Sequence, residues 1–132
     1  MSKHYDYVHL DLGATETTET QIGTVTLNQS AKKIVGIAPV LVVETAAAGE
    51  GITAYCSADS PDINNLKPLK LPCQVVQGPA GTLADSGVAF SPVFYPVDIA
   101  VTGKADITFN VASLGNALTN TCHATIYVCY ES

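Results

Sequence analysis

Three histidines, four cysteines and one Asx-rich loop hold the side chains of this 132-residue chain best suited to chemistry. A metal-dependent sandwich enzyme needs two histidines close together and a carboxylate shortly after, so that the ligands converge on one ion. His4 and His9 are five residues apart and so point to opposite sides of one strand, and His123 stands far off in the sequence. They read as surface or interface histidines, and neither a metal nor another cofactor is expected. Asp59, Asp62, Asn64 and Asn65 share a loop and offer oxygens of the kind Ca²⁺ takes, but without the alternating ligands and glycine of an EF-hand. Asx side chains in such loops more commonly bond their own backbone. Cys56, Cys73, Cys122 and Cys129 show no C-x-x-C spacing, so neither a zinc ribbon nor a thioredoxin-like motif is supported. Buried, reduced thiols are the expectation, and an oxidising setting would bring disulfides instead.

Nucleophile elbow, P-loop and dinucleotide fingerprint are all absent, and Gly78-Pro79-Ala80-Gly81 reads as a turn. No catalytic residue is nominated, and the chain is not expected to be an enzyme. The tyrosines could build a sugar platform, with Tyr5 and Tyr7 on one face of the first strand and Tyr55, Tyr95, Tyr127 and Tyr130 elsewhere. Trp, the strongest stacking residue, is missing. A tyrosine stripe on a strand more commonly packs against a neighbouring sheet or subunit.

Charge narrows the partners. All six basic residues are lysines and the net charge is −6. Without the arginine fork that grips phosphates and guanine edges, direct nucleic-acid binding is not expected. Charged residues make up 14% of the chain, well below the ~25% of ordinary soluble domains. Such a chain has little to wet its surface, so homo-oligomeric contacts are expected to cover part of it. The longest apolar run, Ile34 to Val43, holds Gly36 and Pro39 and falls far short of the ~20 residues of a membrane span. The N-terminal stretch lacks the apolar core of a signal peptide. Synthesis in the cytosol, or a mature form whose signal has been removed, is therefore expected.

The elements that must position these residues read almost wholly as strand. About eight extended segments are bounded by Gly, Pro, Asn, Asp or Ser, which predicts one all-β domain over 1–132, an antiparallel β-sandwich of eight strands. Tyr5 to Leu12 comes first, with Val8, Leu10 and Leu12 on one face and Tyr5, Tyr7 and His9 on the other. Gln21 to Asn28 follows, with Val25 and Leu27 inward and Gly23 at an expected bulge. Lys32 to Thr45 is apolar almost throughout, as a strand buried on both faces would be, and is expected to bend or change sheets at Pro39. Ala46 to Ala48 could make a single helical turn. Ile52 to Ala58, Leu69 to Gln77 and Val88 to Thr102 are the next segments, the last interrupted by Pro92 and Pro96. Asp106 to Ala112 alternates Ile107, Phe109 and Val111 with polar residues. In Thr121 to Glu131, Cys122, Ala124, Ile126, Val128 and Tyr130 face inward, while Thr125, Tyr127 and Cys129 face the other way. Cys122 and Cys129 therefore point apart and are not expected to bond to each other. Periodicity leaves both jelly-roll and immunoglobulin-like strand orders open.

The strand count, the two long proline-broken segments and the near absence of helix resemble the single jelly-roll domain of viral capsid proteins. That resemblance implies two four-stranded sheets, curvature at Pro39 and at Pro92/Pro96, and outer loops at Asp59 to Leu66 and Gly78 to Gly87. It also implies a capsid or capsid-associated (minor or decoration) subunit that self-assembles, is made in the host cytoplasm and resides in the virion. Residues 1–20 would form an N-terminal strand or arm making intersubunit contacts. One departure stands out: the arm lacks the basic, Arg-rich character of genome-binding capsid proteins, with Glu16 and Glu19 following Lys3. A membrane or second protein would then face the genome. The alternative is an extracellular β-sandwich module, an adhesin, glycan binder or filament subunit, in which Tyr5 to Leu12 could complete a neighbour's sheet.

Overall fold

The computed structural model describes residues 2–12, 20–43, 54–63, 66, 69–77, 92–113 and 122–132. Nine strands run through them: β1 (Lys3–Leu12), β2 (Thr20–Thr26), β3 (Lys33–Val43), β4 (Ala54–Asp59), β5 (Lys70–Pro72), β6 (Gln74–Gln77), β7 (Tyr95–Ala100), β8 (Asp106–Ser113) and β9 (Cys122–Glu131). No helix occurs among the described residues. The strands form two packed sheets, one in the order β1-β9-β3-β6 with β7 also pairing β3, the other β2-β8-β4-β5. The chain is thus an all-β sandwich, antiparallel at every pair except β3 with β6.

The antiparallel pairs nest. β1 pairs β9, β2 pairs β8, β3 pairs β7 and β4 pairs β5, as though one long hairpin had been folded over on itself. Further pairs, β3 with β9 and β4 with β8, close each sheet.

Alternation places the core. Ile107, Phe109 and Val111 of β8 are buried and face Ala124, Ile126 and Val128 of β9 across the sandwich. The two-residue period of these strands sends their Thr, Asn and Asp residues to the opposite face. β3 is buried on both faces, as its composition predicts. Ile34, Ile37 and Leu41 join the central cluster, while Ala38, Val40 and Val42 are buried outside it.

Local irregularities explain several departures from simple periodicity. The expected bulge at Gly23 is present as a register shift between Gln21 and Gly23. It changes parity, so that Ile22 is buried alongside Val25 and Leu27. A Cβ at Gly23 would lie 3.3 Å from Val8 Cβ, so the glycine also lets β2 approach β1 closely. Pro39, by contrast, neither breaks β3 nor moves it to the other sheet. The proline falls where the outer neighbour of β3 changes, between Ile37 paired to Tyr95 of β7 and Val40 paired to Gln74 of β6. A residue without an N–H is tolerated at that gap. The register shift in β3 lies at Ile34/Gly36 instead. The single segment expected over Leu69 to Gln77 is two short strands, one in each sheet, which raises the strand count from eight to nine. The chain crosses over after Pro72, and the Cys73 amide donates to the Ala54 carbonyl at 2.8 Å during the crossing. The expected turn at Ala46 to Ala48 and the loop at Gly78 to Gly87 lie outside the described residues.

Gly103 turns β7 into β8 with φ +79°, and a Cβ there would sit 2.9 Å from the Gln29 carbonyl oxygen. Gly103→Ala is therefore expected to cost about 1–3 kcal/mol of folding stability, read as a shift of the urea midpoint. An unchanged midpoint would show that the turn relaxes freely.

Candidate interaction surface

The outer faces of the two sheets differ in kind. On the β2-β8-β4-β5 sheet the outer face is a polar ladder where β2 meets β8, and on β4 and β5 it carries Tyr55 with Lys70 Nζ 5.0 Å over its ring. Thr24 Oγ1 lies 3.0 Å from Thr108 Oγ1, and the Thr26 hydroxyl donates to Asp106 Oδ1 at 2.6 Å. Cross-strand pairs of this kind need no partner beyond water.

Three strands build the other outer face, and their register arranges it in rows. Tyr5, Cys129 and Gly36 form one row across β1, β9 and β3. Tyr7, Tyr127 and Ala38 form the next, and His9, Thr125 and Val40 the third. The Tyr7 and Tyr127 ring centroids are 6.2 Å apart, and His9 Nδ1 lies 2.8 Å from Thr125 Oγ1. His9 and His123 stack at 6.2 Å between centroids, with 9° between their planes. Phe94, in the segment entering β7, meets Tyr5 edge-on at 5.9 Å and lies over Gly36, where a Cβ would be 3.2 Å from its ring. The Val93 amide donates to Gln74 Oε1 at 3.0 Å and ties this segment to β6. Between the segment and β1 opens a cleft of about 290 Å³ lined by Lys3, Tyr5, Val35, Phe94, Pro96 and Cys129. Tyr5, Tyr7 and Val93 are 67%, 62% and 57% exposed. Tyr5 and Tyr7 thus keep most of their surface open beyond the ring contacts they make within the chain.

The other side chains singled out in the sequence are placed as follows. His4 points inward, stacks on Tyr130 at 5.1 Å and lies 2.9 Å from Ser132 Oγ, whereas His9 faces out, as the spacing predicts. The Asp62 carboxylate accepts the Asp106 amide at 3.0 Å, and the Asp62 amide in turn donates to Ser60 Oγ at 3.1 Å. The Asp62 carboxylate thus holds the start of β8 rather than its own loop's backbone, which differs from the local bonding expected of it; Asn64 and Asn65 lie outside the described residues. Asp62 and Asp98 line an open cleft of about 540 Å³ at one end of the sandwich. Both are already engaged there, Asp98 by Lys33 at 3.3 Å. Among the described residues no three His, Cys, Asp or Glu side chains are grouped to hold a metal ion, and no helix is long and apolar enough to cross a membrane.

Cys56, Cys73 and Cys129 are free thiols. Burial pushes the Cys73 thiol up to about 12, from an ordinary 9.0. The Cys56 thiol is pushed up further, first by burial and then by the neighbouring Cys73. Both thiols stay protonated in the folded chain at a pH where the unfolded chain ionises them. Their contribution to stability is complete below about pH 9 and is lost as the pH climbs beyond it. Cys56 alone is expected to add a fall of up to about 1.4 kcal/mol per pH unit in that range. Urea midpoints at pH 8 and pH 10 check this, and Cys56→Ala should flatten the difference. An equal fall in the variant would assign it to other groups.

Residue parity places Tyr5, Tyr7 and His9 on one face, and Thr125, Tyr127 and Cys129 likewise. What it misses is the His9/His123 contact and the part played by Phe94. The first depends on the β1/β9 register, and the second on a segment outside any strand.

No protein-family model matches the chain, and no similar curated protein is found by sequence.

Proposed function

We propose that this chain is a non-enzymatic structural subunit that self-assembles through the tyrosine-bearing face of its β1-β9-β3 sheet, as a jelly-roll capsid or capsid-associated subunit. The observation that carries the reading is the asymmetry of the outer faces. One has a polar β2/β8 ladder paired within itself and a Tyr55 ring under Lys70, while the other displays Tyr5, Tyr7 and Val93 to solvent. Tyrosine is enriched at interface cores because it covers much area at low entropic cost.

The nested strand pairs support the jelly-roll part of the proposal. A hairpin folded over so that first meets last and second meets next-to-last produces the two interlocked Greek keys of a jelly roll. β6, the extra parallel strand beside β3, is an addition to that plan. Among the described residues, the free thiols of Cys56, Cys73 and Cys129 fit assembly in a reducing cytoplasm. Net charge −6 and the absence of arginine fit a subunit whose partners are proteins rather than nucleic acid.

The second reading is an extracellular binding or filament module, favoured by one observation: Tyr5, Tyr7 and Phe94 could serve as a stacking rail for sugar rings. Sedimentation over a wide concentration range separates the two. Self-assembly predicts masses that grow in multiples of 13.7 kDa. A monomer at every concentration that retains a glycan through those tyrosines would establish the second reading.

A further inference from the structure

We infer that β1 is a homotypic docking edge: two copies pair their β1 strands antiparallel about a two-fold axis at Tyr7, with Lys3 of each opposite Asp11 of the other. This rests on the self-assembly reading and names the partner surface within it.

Edges of sheets are normally blunted, because a row of unpaired backbone groups templates the addition of another strand. Most edges of this sandwich carry such a device. β2 has its register shift at Gln21/Gly23, and β5 is three residues long and ends in Pro72. The far side of β3 is divided between β6, four residues long, and β7, which contains Pro96. β1 has no register shift, is not short and has no proline; the charges of Lys3, Asp6 and Asp11 are the device it carries. It is ten residues long and keeps an unbroken register with β9 from Lys3 to Leu12. Among the described residues no strand pairs with its other side. The outward side chains flanking that side include the exposed Lys3, Tyr5, Tyr7 and His9.

The occupant follows from the sequence of the strand. A two-fold axis normal to the sheet sets residues of the same face opposite one another. Centred on Tyr7, it places Tyr7 against Tyr7, Tyr5 against His9 and Lys3 against Asp11 of the second copy. No like charges meet, and a pair of opposite charges stands at each end of the ladder. A slip of two residues sets Lys3 against His9, or Tyr5 against Asp11, and separates both opposite-charge pairs. A slip of one residue would place the inner face of one copy beside the outer face of the other. The two-fold is closed and isologous, so it doubles the sheet instead of propagating a fibre.

The test is site-directed cross-linking under mild oxidation, with wild-type protein as the control for the native thiols. Tyr7→Cys should link into a disulfide dimer as the main species, because only a residue on the axis meets its own copy. Tyr5→Cys and His9→Cys should remain largely unlinked. Lys3→Asp and Asp11→Lys should each weaken the dimer about tenfold, and combining them should restore it. Equal linking by Tyr5→Cys or His9→Cys, or no recovery in the charge swap, would overturn the register. No linking at any of the three positions, in protein that still sediments as an assembly, would overturn the docking edge and leave self-assembly standing. Wild-type protein that is monomeric at every concentration would overturn both.

Discussion

Phe109→Ala is expected to lower folding stability by about 3–5 kcal/mol, a large part of the ~5–15 kcal/mol that holds a domain of this size together. Phe109 is fully buried at the middle of β8, the strand that both β2 and β4 pair with. Truncation removes the transfer energy of the ring and leaves a cavity in contact with both sheets. Those walls cannot collapse inward without breaking the ladders on either side of β8. Thr108→Ala, one residue away on the polar face, is the matched control. It gives up an exposed hydroxyl contact with Thr24, and its cost should stay near or below about 1 kcal/mol. Urea unfolding of the two variants measures the contrast. Comparable losses would mean that the alternation of β8 does not separate core from solvent.

The second large effect falls on assembly rather than folding. Tyr5→Glu and Tyr7→Glu should each weaken self-association by roughly 30-fold or more, the scale of an interface hot spot of about 2 kcal/mol. At position 7 the substitution also sets two carboxylates face to face on the proposed axis. Both side chains are mostly exposed in the single chain, so its stability should change by no more than about 1 kcal/mol. Tyr7 gives up a ring contact with Tyr127, and Tyr5 one with Phe94. Sedimentation checks association, and urea unfolding at a concentration where the chain is monomeric checks the fold. Loss of both together would make the tyrosines structural. Loss of neither would move the contact surface elsewhere.

Much of the architecture is legible in the period-two pattern of particular strands. β8 and β9 bury one face along most of their length, Ala112 and Cys129 being buried on the other, and their apolar residues alternate well enough for the amino-acid order alone to locate the core. β3 gives itself away by its unbroken apolar run, since a strand between two neighbours, with cover on both faces, has no polar side to show. The split of Leu69 to Gln77 into β5 and β6 is not legible. Leu69, Leu71, Cys73 and Val75 keep one parity straight through the crossover, so nothing local marks the change of sheet. Pro39 misleads for a related reason. A proline is costly only where a partner's carbonyl awaits its N–H, and the gap between β6 and β7 is set by residues far away in the chain. The tyrosine face divides the same way. Period two puts Tyr5, Tyr7 and His9 together, but the rows that join them to Tyr127, Thr125 and Ala38 exist only once the β1-β9-β3 register is formed.

Negative-stain electron microscopy of the freshly purified protein, with its mass in solution measured alongside, addresses self-assembly most directly. Closed shells, rings or flat lattices built from 13.7 kDa subunits are the predicted result. Uniform monomers at high concentration would contradict it.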